Sequence, residues 1–326
     1  MALFMGIKYH LVFFFFTVVS VSVYCQVNEY GPGYQLTLIG NPGLTGTEGT
    51  GYLRLSYLNL YPGNNYNLHT VNVSYDGYFP GLHGGAGIYI TNNSLSGIVN
   101  DLSGGFSYAY HFQAGSNLFV SAGLSASIFH RGYSFSGAVL PDQIDPVRGA
   151  VLPPGEILDL KGRSVLDLST GFLLMSGRFF GGISVSHLTE PDPDGSGNNQ
   201  SRIRRHLLLH AAGDFDLNEN TELKIRPLIK LELEREYLSA GTGAVLESKY
   251  LSVSSIFLMN NMKDLDLQAG FAVASGIVTI FYNYRINISS GNTVLPLSLL
   301  HHTGMVLSLN NVEKRKAIRT INFPRL

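Results

Sequence analysis

The chain has 326 residues, a formal net charge of −1 and 14% charged residues, against about 25% in ordinary soluble domains. With 37 Gly, 18 Tyr and 19 Phe beside so few charges, the composition suits a β-rich chain with one face in lipid. The near-neutral charge excludes nucleic-acid binding driven by bulk electrostatics, and a single cysteine, Cys25, excludes an internal disulfide.

Lys8 precedes the apolar run Leu11–Val19, and smaller residues follow up to Cys25. This is the layout of an export signal, and the run is too short for a membrane-spanning helix, which needs about 20 residues. The simplest reading is a signal peptide over 1–25, cleaved before Gln26. An acylated Cys25 is the alternative; Tyr24 opposes it, because a small residue is expected there. Residues 26–50 then form a Gly- and Pro-rich lead-in, irregular apart from at most one short strand at Tyr34–Ile39.

From residue 51 the chain alternates with period two, the mark of a strand with one apolar face. Leu53, Leu55 and Tyr57 oppose Arg54 and Ser56. After the turn Tyr61–Asn65, Val71, Val73 and Tyr75 oppose Asn72, Ser74 and Asp76. Further strands are predicted near Gly84–Thr91, Ser103–Phe112 and Leu118–Ile128. Residues 132–162 carry four prolines and no period, which predicts a long functional loop. Alternation resumes at Leu166–Leu174, Phe179–Val185 and Leu207–Phe215, with a polar loop at Glu190–Ser201.

The segment Leu223–Leu233 places Lys224, Arg226, Lys230, Glu232 and Glu234 on one face. Lys or Arg at the bilayer midplane costs about 2–4 kcal/mol, so that face must meet a wet lumen or a polar network, of which an internal ion-pair network is the favoured form. Pro227 within it predicts a bulge or strand end. Strands are then predicted at 246–259, 264–274, 277–289 and 301–310. The cleanest is Val278–Ile288: its even positions are apolar or aromatic and face lipid, while Asn283, Arg285 and Asn287 point inward.

These are thirteen strands, fourteen with one from the lead-in, and bacterial single-chain barrels have even numbers. The expected fold is all-β: a transmembrane antiparallel up-and-down β-barrel over 51–310, of 12–14 strands with fourteen favoured. A basic tail, 311–326, carries Lys314, Arg315, Lys316, Arg319 and Arg325 against Glu313. It reads as a solvated periplasmic tail, with contact to a periplasmic partner as the alternative.

Motifs between the strands carry a further resemblance. Asn41-Pro42-Gly43-Leu44-Thr45-Gly46 resembles an NPAxxG segment, with Gly43 in the alanine place. Leu60-Tyr61-Pro62-Gly63 resembles a QWPG turn, with Tyr61 in the tryptophan place. Ser74-Tyr75-Asp76, Gly84-Gly85-Ala86-Gly87 and Asp142-Gln143-Ile144-Asp145 resemble SYD, GGxG and DQxD patterns. In this order they are similar to the PorP/SprF family, outer-membrane proteins of the Bacteroidetes type IX secretion system. The resemblance implies a barrel in the outer membrane without catalytic residues or cofactors. Its implied partners are periplasmic ring components of the secretion system and exported adhesins with a C-terminal sorting domain, of the kind used in gliding motility. The family-motif positions to follow are Asn41, Pro42, Gly46, Pro62, Gly63, Asp142, Gln143 and Asp145.

The residues themselves offer no catalytic or metal constellation of comparable strength. His301 and His302 are adjacent on a strand and point to opposite faces. His206 and His210 share a face but stand about 13 Å apart. Asp192-Pro193-Asp194-Gly195 only faintly resembles a calcium loop, since the later ligands are missing. The alternative function is a diffusion channel for small solutes, with the charged strand as its selectivity surface; a weaker one is an esterase at the barrel rim.

Overall fold

The computed structural model describes residues 37–62, 67–134, 144–145, 149–150, 162–195, 197, 201–218, 222–289 and 300–309. The expected signal peptide, the residues around Cys25, the basic tail 311–326 and most of the loop at 132–162 lie outside them.

Fourteen antiparallel strands form a closed barrel. They are β1 (Tyr52–Leu60), β2 (Leu68–Phe79), β3 (Gly84–Leu95), β4 (Val99–Gly115), β5 (Leu118–Tyr133), β6 (Arg163–Ser176) and β7 (Phe179–Ser186). The circuit continues with β8 (His206–Gly213, resuming at Phe215–Asn218), β9 (Leu223–Glu234), β10 (Tyr237–Glu247), β11 (Leu251–Asn260), β12 (Leu265–Ser275), β13 (Val278–Ser289) and β14 (Leu300–Ser308). Each strand pairs with its neighbours in sequence, and β14 closes on β1 with Tyr52 opposite Ser308 and Leu60 opposite Leu300. Closure satisfies every ladder without leaving an edge, as a membrane-spanning sheet requires.

Alternation sets the two faces. Ile88, Ile90, Leu124, Ile128, Leu166, Leu174, Ile229 and Ile280 are exposed outward, forming the apolar belt that meets lipid. Asn283, fully buried, and Arg285 face the lumen as the sequence predicts. The strand starting β1 and the strand ending the barrel both meet one rim, where β2–β3, β4–β5, β6–β7, β10–β11 and β12–β13 are joined by short turns. Residues 134–162 and 187–205 join strands at the other rim. Short periplasmic turns and longer extracellular loops orient the barrel accordingly.

Two expectations need correction. The fourteenth strand does not come from the lead-in: residues 38–40 are in turns, while 34–36 lie outside the described residues. It is β10, and β11 begins at Leu251, not at 246. β10 escapes the eye because its inward positions, Ser239, Gly241 and Gly243, are as small as its outward Ala240, Thr242 and Ala244. The glycines make room: a Cβ on Gly241 would lie 2.8 Å from Leu258 and from the Lys230 stem. Pro227 neither bulges nor ends its own strand. The break falls in the partner: Pro227, which has no N–H to offer, stands opposite Gly213, β8 is interrupted at the next residue, Asp214, and the register resumes unchanged at Phe215 opposite Ile225.

Candidate functional site: a lumen plug

The residues before β1 do not lie outside the barrel. Residues 37–50 fold into the lumen near the periplasmic rim, where a short 3₁₀ helix, Pro42–Leu44, rests against β4, β5, β6 and β7. Asn41, with an extended backbone, caps this helix: its side-chain oxygen accepts the Gly43 N–H at 2.8 Å. Pro42 follows at the first helical position, where its missing N–H costs nothing. Asn41 and Thr45 are completely buried, and Leu44 joins a small core with Leu173, Met175 and Phe180.

Inward polar side chains hold this backbone. Asn41 Nδ2 donates to His210 Nε2 at 3.1 Å. Ser121 Oγ donates to Gly43 O at 2.6 Å, and Ser184 Oγ to Gly40 O at 2.7 Å. Thr45 Oγ1 donates to Pro42 O at 2.8 Å and shares a 2.6 Å hydrogen bond with Ser107 Oγ, while His111 Nε2 donates to Thr45 O at 3.0 Å. The Gly46 N–H donates to Asp76 Oδ2 at 2.7 Å, and the other oxygen of Asp76 pairs with Arg54. Arg54 also reaches Glu48 at 3.7 Å. A buried loop would otherwise strand its backbone groups; here the wall supplies their partners.

The wall is thin where the plug touches it. Gly46 has φ +71° and approaches Gly85 so closely that a Cβ on Gly85 would stand 1.9 Å from Thr45 O. A Cβ on Gly171 would stand 2.0 Å from the Asn41 side-chain oxygen. Only glycine admits backbone against backbone at these distances.

Three of the predicted motif positions, Asn41, Pro42 and Gly46, are therefore brought together, and Asp76 and Gly85 from two other motifs meet them. Pro62 is not part of this cluster; it follows Tyr61, with φ 56°, in the turn after β1 at the opposite rim. Asp145 lies in a two-residue pairing, Ile144–Asp145 with Gly149–Ala150. Gly63, Asp142 and Gln143 lie outside the described residues. The lumen partners Ser107, His111, Ser121 and His210 carry no motif. Their only sequence signal is a polar or small residue on the inward step of the alternation.

Beside the plug core, where Arg226 lies 5.9 Å from the Phe180 ring, the charged face of β9 forms the expected ion pairs. Lys230 meets Glu232 at 3.2 Å, and Arg226 meets Asp214 at 2.5 Å and Glu247 at 3.7 Å. At the extracellular rim Arg131 grips Asp101 through two bonds of 2.7 and 2.8 Å and reaches Asp194 at 3.4 Å. Asp192 is turned toward its own loop: the Ser201 hydroxyl, with the N–H groups of Gly197 and Gly195, holds its carboxyl below the usual carboxylate range. His301 and His302 do face opposite ways, His301 bonding the Tyr282 hydroxyl at 2.8 Å on the outer side and His302 buried against Phe281. Among the described residues no three His, Cys, Asp or Glu side chains gather as a metal site.

The sequence matches the family described as "Type IX secretion system membrane protein PorP/SprF" over residues 25–295. The chain belongs to this family. As a PorP/SprF protein with an apolar outer belt on a closed barrel, it resides in the outer membrane. No curated protein matches it. Its fold is similar to that of the Pseudomonas putida toluene transporter TodX, with TM-score 0.47 and 11% identity over 83% of this chain and 92% of that one. The Acinetobacter baumannii outer membrane protein Omp33 is similar with TM-score 0.46 and 8% identity over 81% of this chain and 100% of that one. The likeness extends no further than the outline of the barrel.

Proposed function

We propose that this PorP/SprF protein is a non-enzymatic scaffold of the type IX machinery that assists secretion or surface attachment of proteins with a C-terminal sorting domain, of the gliding-adhesin type. Its partners in this reading are the exported adhesin and the periplasmic ring components. Family membership supports the setting. One observation supports a scaffold over the alternative, a diffusion channel: residues that mark the family, Asn41, Pro42 and Gly46, are spent on anchoring a plug within the barrel. Backbone bonded to the wall at four points, Gly40 O, Gly43 O, Thr45 O and the Gly46 N–H, obstructs the path that a pore for small solutes needs open.

Two measurements test the reading. Deleting the gene in its host should deplete sorting-domain adhesins from the surface; unchanged secretion and unchanged surface adhesins would reject the secretion role. In planar bilayers the full chain should show no steady conductance, whereas stable open steps would favour the channel.

A further inference from the structure

Between the plug and the inner faces of β1, β2 and β9–β14 lies a cavity of about 570 Å³. It reaches the periplasmic rim, where Ser248, Lys249, Tyr250, Gly276 and Ile277 line it. The register lays out its wall. One ladder row carries Ser56, Gly304, Phe281, Ala272 and Ser252 on β1, β14, β13, β12 and β11. The next row toward the periplasm carries Arg54, Val306, Thr279 and Ala274.

This wall repeats the chemistry of the plug side. Most of its side chains are small, and Ser56, Ser252 and Thr279 are half-buried. Their hydroxyls take no hydrogen bond among the described residues. On the plug side the same residue type, in Ser121 and Ser184, holds the main chain at Gly43 O and Gly40 O. Irregular backbone inside a barrel needs such partners, and a wall of small hydroxyl side chains provides them.

The plug points to the occupant. Thr37 and Ile39 line the cavity, so the chain before Thr37 is attached at its edge, at an effective concentration of millimolar order. The charges match as well. Arg54 is answered by Asp76 and Glu48, and Arg226 by Asp214 and Glu247. Lys249, its ammonium 5.5 Å from the Tyr250 ring, meets no carboxylate among the described residues. Residues 27–36 carry one charge, Glu29, together with the bulky Tyr30, Tyr34 and Leu36 that a wall of alanine and serine can seat. Glu29 stands eight residues before Thr37, up to about 26 Å of extended chain, which is more than the width of a cavity of this volume.

We propose that residues 27–36 continue the plug into this cavity, their backbone hydrogen-bonded to Ser56, Ser252 and Thr279 and Glu29 paired with Lys249 at the periplasmic mouth. The chain before β1 then closes both sides of the lumen, not one.

Ser252→Cys puts a thiol on the cavity wall to test this. In the full chain in lipid nanodiscs, a soluble maleimide should label it about tenfold more slowly than in a chain lacking residues 28–36, because the thiol is reached only when the segment opens locally. The full chain without Ser252→Cys is the blank. Carbodiimide, which joins a carboxylate to an amine in contact, should link the peptides holding Glu29 and Lys249, and Glu29→Gln should abolish the link. Lys249→Glu alone should speed labelling of the thiol, and Lys249→Glu with Glu29→Lys should slow it again, a rescue that a misfolded variant cannot give. Barrel integrity is read from heat-dependent gel mobility. Equal labelling with and without the segment overturns the proposal: equally fast leaves the cavity to water, and equally slow gives it to another occupant.

Discussion

The two halves of this lumen are filled by different means. Against β3–β7 the barrel receives a second layer of backbone; where that backbone touches, the inner face is Gly85, Ser107, Ser121, Gly123 and Gly171, with Leu173, Met175 and Phe180 packed around Leu44. On β9–β13 the inner face carries the long side chains Arg226, Leu228, Lys230, Glu232, Ile256 and Arg285, all buried, with room made for them by the small Ser239, Gly241 and Gly243 of β10. The wall's residue sizes complement what it faces: near-zero volume where a chain must approach, long side chains where space must be closed. The hydrogen bonds divide the same way. The plug side satisfies main-chain groups with hydroxyls and imidazoles, and the other side satisfies charges with charges.

That contrast predicts unequal costs when either half is altered. The largest belongs to Asp76→Ala, which removes both the Gly46 anchor and the nearer partner of half-buried Arg54, leaving it only Glu48 at 3.7 Å. Breaking a buried pair costs about 3–5 kcal/mol, so chemical unfolding of the barrel should shift by an amount near the top of that range. On the opposite wall Lys230→Met alone should cost about 3 kcal/mol by leaving Glu232 unpaired, whereas Lys230→Met with Glu232→Met should come close to the unsubstituted chain. Equal loss in single and double variants would mean that the pair contributes through packing. Gly85→Val forces a side chain into Thr45 O and should cost about 3 kcal/mol as overpacking, with residues 37–50 becoming accessible to protease in the folded barrel. Asn41→Ala removes the helix cap and the His210 bond, for about 2 kcal/mol in the same unfolding assay. The smallest effect is at the extracellular rim. Because Asp192 has its carboxyl lowered by Ser201 and the Gly197 and Gly195 N–H groups, its ordering of the loop is complete above about pH 4 and fades as pH falls through the lowered value. Amide exchange at Gly195 and Gly197, corrected for the intrinsic rate, should reveal this.

The same contrast explains what could be read from the sequence. Where large apolar residues alternate with polar ones, as in Val278–Ile288 or Leu118–Ile128, one face announces lipid and the other the lumen, and the inward Arg285 follows directly. The ion pairs of β9 were legible for the same reason. β10 was not, because glycine and serine inside and alanine and threonine outside leave no contrast for period two to display. The plug was invisible as a plug. Its motif residues were apparent, but Asn41-Pro42-Gly43 has no period, and nothing local tells a turn in solvent from a turn inside a barrel. The information lies in the wall, in Gly85, Gly171, Ser107 and Ser121, and becomes legible only once register brings those positions together. His210 illustrates the point: on its strand it is one more inward polar residue, and its role appears only with Asn41 at 3.1 Å.

Whether the chain's own N-terminal segment fills the barrel is tested most directly by a cross-link. Thr45 and Ser107 bring their hydroxyl oxygens to 2.6 Å across the plug–wall contact, close enough for a disulfide to replace the pair. In the chain carrying Thr45→Cys and Ser107→Cys, expressed in the oxidising periplasm and recovered from the outer membrane, mass spectrometry should find the peptides containing positions 45 and 107 joined. Both peptides recovered unlinked from a correctly folded barrel would contradict the plug.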